Sequence, residues 1–127
     1  MNIFGIGTDI VSVNRIKNLL KNKNFINRIF NEKEILKCKK INNSSNCYAK
    51  RFAAKEAFSK ALGTGISNGI NFKEIVILNN KSGKPFISII GKTKEILKKK
   101  FKKKKSKISL SLSDEKKYAV AFVTISL

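Results

Sequence analysis

The segment RFAAKEAFSKALG, residues 51–63, constrains this chain more than any other. Read as a helix from about Asn46 to Leu62, it is apolar nearly all round. Tyr48, Ala49, Phe52 and Ala53 flank the direction of Glu56, and Ala54, Ala57, Phe58, Ala61 and Leu62 cover the other side. A helix with so little polar surface belongs at the centre of a domain, with the other elements packed around it. Gly63 supplies a left-handed stop at its end. Glu56 is the anomaly, because an ionised carboxylate on such a helix costs several kcal/mol unless a cation or hydrogen bonds meet it.

The flanking segments supply the packing partners. Residues 2–7 alternate in a β-compatible pattern, and Val11 to about Leu20 reads as a helix with Val11, Ile16, Leu19 and Leu20 inward. A shorter segment begins near Phe25. Asn31 followed by Glu34 has capping-box spacing and starts a helix through Lys39, and the serines of INNSSN (41–46) are placed to cap the central helix. FKEIVIL (72–78) and PFISII (85–90) flank NNKSGK as a β-hairpin, with Pro85 limiting the start of the second strand. Residues 92–103 read as a lysine-rich helix whose KKKFKKKK run (98–105) is a solvated end, and KISLSLS and YAVAFVTIS form a second hairpin around DEKK. The sum is a single α+β domain over residues 1–127, with a largely antiparallel sheet packed with a central helix.

Several classes are disfavoured by composition. No window approaches the ~20 apolar residues of a membrane span, and MNIFGIGTDIV does not read as a signal peptide, so a cytoplasmic protein without a membrane segment is expected. Cys38 and Cys47, with no His in the chain, match no zinc pattern; the expectation is buried or idle thiols. The net charge of +20 rests on 28 basic residues, of which only Arg15, Arg28 and Arg51 are Arg. A small basic RNA- or ribosome-associated protein is therefore the alternative from another class. It is poor in the bidentate, stacking side chain that nucleic-acid readers use, and it leaves the acids of the chain unexplained.

Helix geometry alone leaves Glu56 open between a Glu56–Lys60 pair on a solvated edge, worth about 0.3–0.5 kcal/mol, and a used carboxylate. Asp9 is open in the same way. It is either the N-cap of the following helix or, if residues 3–11 are extended, a member of the face carrying Ile3, Gly5, Gly7 and Val11. The two glycines on that face leave room for another backbone to approach closely. Taken together, the two acids suggest a site for a hard cation, because Mg²⁺ is usually held by one or two carboxylates plus substrate phosphates. GTGISNG (63–69) offers backbone N–H groups to a phosphate, and Lys50, Arg51 and Lys60 offer positive charge.

At these residues the sequence resembles a known family. IFGIGTDIVSVNRI (3–16) and RFAAKEAFSKALGTGI (51–66) are similar to the two signature segments of holo-acyl-carrier-protein synthases, the small bacterial 4′-phosphopantetheinyl transferases. SGKP (82–85) and SLSLSDEKKYAVAFVTI (109–125) resemble the later blocks in the same order, so the resemblance spans nearly the whole chain.

The resemblance implies the 4′-phosphopantetheinyl transferase fold and a homotrimer with active sites between subunits. It implies Mg²⁺-dependent transfer of 4′-phosphopantetheine from coenzyme A to a serine of apo-acyl carrier protein, releasing adenosine 3′,5′-bisphosphate in support of fatty acid biosynthesis. By position, Asp9 and Glu56 are the metal ligands, and Glu56 and Lys60 the catalytic pair. Arg51, Lys60, Gly65, Gly83, Lys84 and Pro85 lie along coenzyme A. Acyl carrier proteins are acidic, so Arg15, Lys17, Lys21 and Arg28 are the expected docking surface. One departure stands out: many members carry a His in the last block, where this chain has Ser113 and Asp114.

Overall fold

The computed structural model describes residues 1–63 and 69–127. The chain opens with strand β1 (Ile3–Ser12), followed by three short helices, α1 (Val13–Leu19), α2 (Lys23–Ile29) and α3 (Glu32–Lys39). The long helix α4 (Ser44–Leu62) comes next, then the hairpin of β2 (Ile75–Asn79) and β3 (Pro85–Ile89). Helix α5 (Gly91–Lys100) and the hairpin of β4 (Lys107–Asp114) and β5 (Tyr118–Ser126) complete it. Among the described residues all strand pairs are antiparallel, in a three-stranded sheet of order β1-β5-β4 and a separate β2-β3 ribbon. Strands from the two ends of the chain are thus neighbours, and Asn2 and Leu127 exchange backbone hydrogen bonds at 2.9 and 2.8 Å.

Helix α4 is central, as its lack of a polar face requires. Thirteen of its residues are buried, from Cys47 to Leu62, and Gly63 ends it at φ 82°. It lies against β1 and β5, and the contact is tight for a sequence reason. A Cβ at Gly5 would stand 1.9 Å from the carbonyl oxygen of Ala61, and one at Gly7 1.9 Å from that of Ala57. Glycines on the strand and alanines on the helix bring two backbones into contact where larger side chains would hold them apart.

Two expectations about the first helix change. Strand β1 runs on to Ser12, so Val11 is buried as a strand residue, and Ser12 rather than Asp9 caps α1, its side chain accepting from Arg15 N at 3.3 Å. A hydroxyl sits where the chain leaves the sheet, which is where the orphan N–H groups are. The capping box of α3 is present: Asn31 caps, and Glu34 Oε1 accepts from Asn31 N at 2.9 Å. The N-cap of α4 is Asn43, without a side-chain bond, and Ser44 and Ser45 lie inside the first turn. Helix α5 stops at Lys100, three residues before the expected end, because Lys102 and Lys103 take left-handed φ values of 53° and 63°.

The cysteines also depart from expectation. Both are buried, but they are not thiols: Cys38 on α3 and Cys47 on α4 are joined as a disulfide, with Cα atoms 5.5 Å apart. The turn at 40–43 folds α3 back on α4 and brings the two side chains face to face, which a spacing of nine residues does not reveal. Among the described residues no helix is long and apolar enough to cross a membrane.

Candidate active site

The glycine-cleared contact between β1 and α4 decides where the acids go. Asp9 shares the inward face of β1 with Gly5, Gly7 and Val11, and its side chain is only 15% exposed. On the facing helix, Lys60 Nζ donates to Asp9 Oδ1 at 3.2 Å and to the Thr8 carbonyl at 3.1 Å. Lys60 therefore pairs with Asp9 across two elements. The local Glu56–Lys60 pair is not formed, and among the described residues Glu56 has no ion pair within 4.0 Å. Burial, and after it the charge of Asp9, push the Glu56 carboxyl above its ordinary range, with Lys60 and Arg15 opposing. A carboxyl held above its ordinary range beside a second carboxylate, with a cation next to them, forms an oxygen-donor site suited to a hard divalent ion. Among the described residues no cluster of three metal-ligating side chains exists; water and substrate oxygens usually complete such a shell.

A second region lies further towards the start of α4. Arg51 is buried, its guanidinium held by the Cys47 carbonyl and Sγ at 3.3 and 3.2 Å and by Asn79 Oδ1 at 3.0 Å. Burial lowers its pKa, with the Glu34 charge opposing. Its Nε is buried without a hydrogen-bond partner. A buried guanidinium with an idle donor is costly to leave unmatched, and it faces a cavity of about 660 Å³. Lys37, Lys50 and Lys81 line the same cavity, together with Gly83 and Pro85 of the hairpin turn. The basic lining of Lys37, Lys50, Arg51 and Lys81 suits an anionic ligand.

The predicted residues are thus divided. Arg51, Gly83 and Pro85 meet at this cavity, whereas Lys84 points to a smaller one of about 290 Å³ beside β4. Lys60 belongs with Asp9 and Glu56. Arg51 and Glu56 are five residues apart on α4, about 7.5 Å along the axis and 140° around it. Gly65 and most of the GTGISNG segment lie outside the described residues. Arg15, Lys17, Lys21 and Arg28 are all exposed on α1, α2 and the turn between them, and Arg15 is close enough to act on the charge of Glu56.

Sequence reasoning missed three participants. Asp114, in the block that departs from the family, lines the cavity, pairs with Lys50 at 3.6 Å and accepts from Asn46 Nδ2 at 2.8 Å. Asn79, which holds Arg51, gives no signal in a hairpin rich in Asn. Lys55 did give one, since it is a charge on the same apolar helix as Glu56. It is fully buried, donating at 2.7 Å to Glu34 Oε1 and to the carbonyls of Phe72 and Ile75.

The family model for the 4′-phosphopantetheinyl transferase superfamily matches residues 5–123. This chain belongs to that superfamily. It is 54% identical over 125 residues to the holo-[acyl-carrier-protein] synthase of Pelagibacter ubique, covering 98% of both chains. Among solved structures, the holo-[acyl-carrier-protein] synthase of Neisseria meningitidis superposes with a TM-score of 0.87 at 41% identity, over 98% of this chain and 99% of that one. The enzyme from Bacillus anthracis, solved in complex with CoA (3′,5′-ADP), does so at 0.80 and 35%, over 98% and 97%. The α+β phosphopantetheinyl transferase fold and transferase class expected from the sequence are therefore established, and the chain is a phosphopantetheinyl transferase of the holo-[acyl-carrier-protein] synthase type.

Proposed function

We propose that this transferase moves 4′-phosphopantetheine from coenzyme A to a serine of apo-acyl carrier protein, releasing adenosine 3′,5′-bisphosphate, with Mg²⁺ held by Asp9 and Glu56. The observation that carries the reading is the convergence of Asp9, Glu56 and Lys60 at the β1–α4 contact. When bound, Mg²⁺ would supply charge neutralisation at the pyrophosphate. The chain's own contribution is positioning, which is most of what phosphoryl transfer asks of a protein. Lys60 brings a flexible cation to the reacting phosphate, and Glu56 is placed to accept the serine proton, directly or through water. Arg51, with Lys37, Lys50 and Lys81 around it, is placed to bind the anionic nucleotide end of coenzyme A. The B. anthracis relative was solved in complex with CoA (3′,5′-ADP), which supports coenzyme A as the ligand class.

Because the two regions sit on different sides of α4, one subunit does not offer them as one cleft, which favours a site completed between subunits of a homotrimer. The outer face of the three-stranded sheet supports such an assembly. Ile6, Ile10, Tyr118 and Phe122 stand there 45–64% exposed, an apolar patch of the kind that marks an interface. The exposed cations of α1 and α2 would receive the acidic carrier, with Arg15 nearest the reacting groups. A cytoplasmic setting follows from this role. The RNA-binding alternative draws on net charge alone and is not favoured.

The test is mass spectrometry of apo-acyl carrier protein incubated with coenzyme A, Mg²⁺ and the enzyme. A gain equal to one phosphopantetheine is expected, abolished by Asp9→Ala and by Glu56→Ala in variants that still melt cooperatively. Full rate in either variant would overturn the site assignment.

A further inference from the structure

The lysine run at 98–105 builds more than a solvated helix end. Helix α5 stops at Lys100, and the chain then doubles back: Lys103 N donates to the Lys98 carbonyl and Lys104 N to that of Phe101, both at 3.0 Å. The reversal needs left-handed φ at Lys102 and Lys103, a conformation that glycine adopts freely and L-residues only at a cost. The run keeps lysine at both positions. The result is a groove of about 500 Å³ between α5, β3 and β4. Its floor is apolar, formed by Ile87, Ile89, Leu97, Phe101 and Ile108, of which Leu97 and Phe101 are 4% exposed. Its rim is cationic, with Lys94, Lys98, Lys103, Lys104 and Lys105. Among the described residues only Lys98 of these has an acidic partner, the exposed Glu95 at 3.6 Å.

We propose that this groove binds a single-chain anionic amphiphile, a long-chain carboxylate, with its alkyl tail on the apolar floor and its head among the rim lysines. A purely anionic ligand would leave the floor in water, and a purely apolar one would leave four of the five ammonium groups without counter-charge. A methylene takes about the volume of a water, roughly 30 Å³, so the groove has room for roughly a dozen and a head group. Ile108 lies on the core side of β4, so the groove faces away from the sheet surface assigned above to subunit contact. It shares no lining residue with the Arg51 cavity and includes none of Asp9, Glu56 and Lys60. Its test uses binding alone, so its failure and that of the proposed transfer reaction are separable.

Calorimetry on the full-length protein with octanoate, decanoate and dodecanoate, each below its micelle concentration, should show affinity rising with length. The ceiling is about fourfold per methylene fully removed from water. Dodecyltrimethylammonium should bind at least tenfold more weakly than dodecanoate. Lys98→Glu/Lys104→Glu should weaken dodecanoate at least tenfold. Ser106→Trp, at the exposed mouth, should block it without altering the buried floor and guards against misfolding of the charge-reversed variant. The proposal is overturned if dodecanoate does not bind, or if the cationic amphiphile binds as well. It is overturned if inorganic phosphate competes as effectively as dodecanoate, or if phosphatidylglycerol vesicles bind while monomeric dodecanoate does not. Variants that change oligomeric state but not dodecanoate affinity would make the groove a contact between copies and would also overturn it.

Discussion

Gly7→Ala tests the link between packing and chemistry most directly. The added Cβ would stand 1.9 Å from the Ala57 carbonyl oxygen and 2.7 Å from the Ala61 nitrogen. Both are helix backbone, so no rotamer change relieves the clash. Moving from 1.9 Å to an ordinary contact of 3.4 Å requires α4 and β1 to separate by about 1.5 Å. Overpacking of this kind costs roughly 1–3 kcal/mol, and the upper end is expected here because two regular elements must part. The same movement would draw Lys60 away from its 3.2 Å and 3.1 Å contacts with Asp9 and Thr8. A misplacement of about 1 Å at a reacting centre costs roughly a hundredfold in rate. Thermal unfolding and single-turnover transfer to apo-carrier protein, followed by mass spectrometry, measure the two effects on one sample. Gly7→Ala should be folded, destabilised and at least a hundredfold slower. A second change, Ala57→Gly, should not rescue it, since the clash is with the backbone carbonyl. A Gly7→Ala enzyme with wild-type rate would refute the reasoning.

Other perturbations probe the remaining groups. Lys55→Met should cost about 3–5 kcal/mol in chemical denaturation, because Glu34 would be left buried without its cation. Glu34→Leu/Lys55→Met should recover only part of that loss, since the carbonyls of Phe72 and Ile75 and the N–H groups of Asn31 and Ile77 also lose these partners. Burial lowers Lys55 to about 8 against the attraction of Glu34. Above pH 8 the unfolded chain therefore holds this proton more tightly than the folded one. The contribution of Lys55 to stability, measured against Lys55→Met, should rise with pH from about 8 to 10.5, by at most about 1.4 kcal/mol per unit. A contribution that falls in this window would contradict the burial. Reducing Cys38–Cys47 opens a nine-residue loop and should lower stability by about 2–3 kcal/mol, read as a shift in melting temperature with and without dithiothreitol; no shift would mean the pairing does not constrain the fold. Arg15→Glu should raise KM for the carrier protein more than for coenzyme A, and kcat/KM of the wild type should fall with salt; an effect on coenzyme A alone would move the docking surface elsewhere.

The central helix was legible because its residues leave it no other place: an all-round apolar sequence ending in glycine specifies burial by composition alone. Gly5, Gly7 and Asp9 were legible as one face because alternation in a strand is a local property, and the alanines that meet them are visible in the same helix. The capping box at Asn31 and Glu34 likewise needs only its own turn. Tertiary structure decided what depends on distance between segments. The pairing of Lys60 with Asp9 rather than Glu56, the disulfide between Cys38 and Cys47, and the burial of Lys55 on Glu34 each join residues whose separation in space no periodicity encodes. The division of the predicted nucleotide residues between two sides of α4 is of the same kind, because a helix presents neighbours in sequence to opposite directions. Local sequence set which faces had to be covered; the packing of distant strands and turns against them set which charges met.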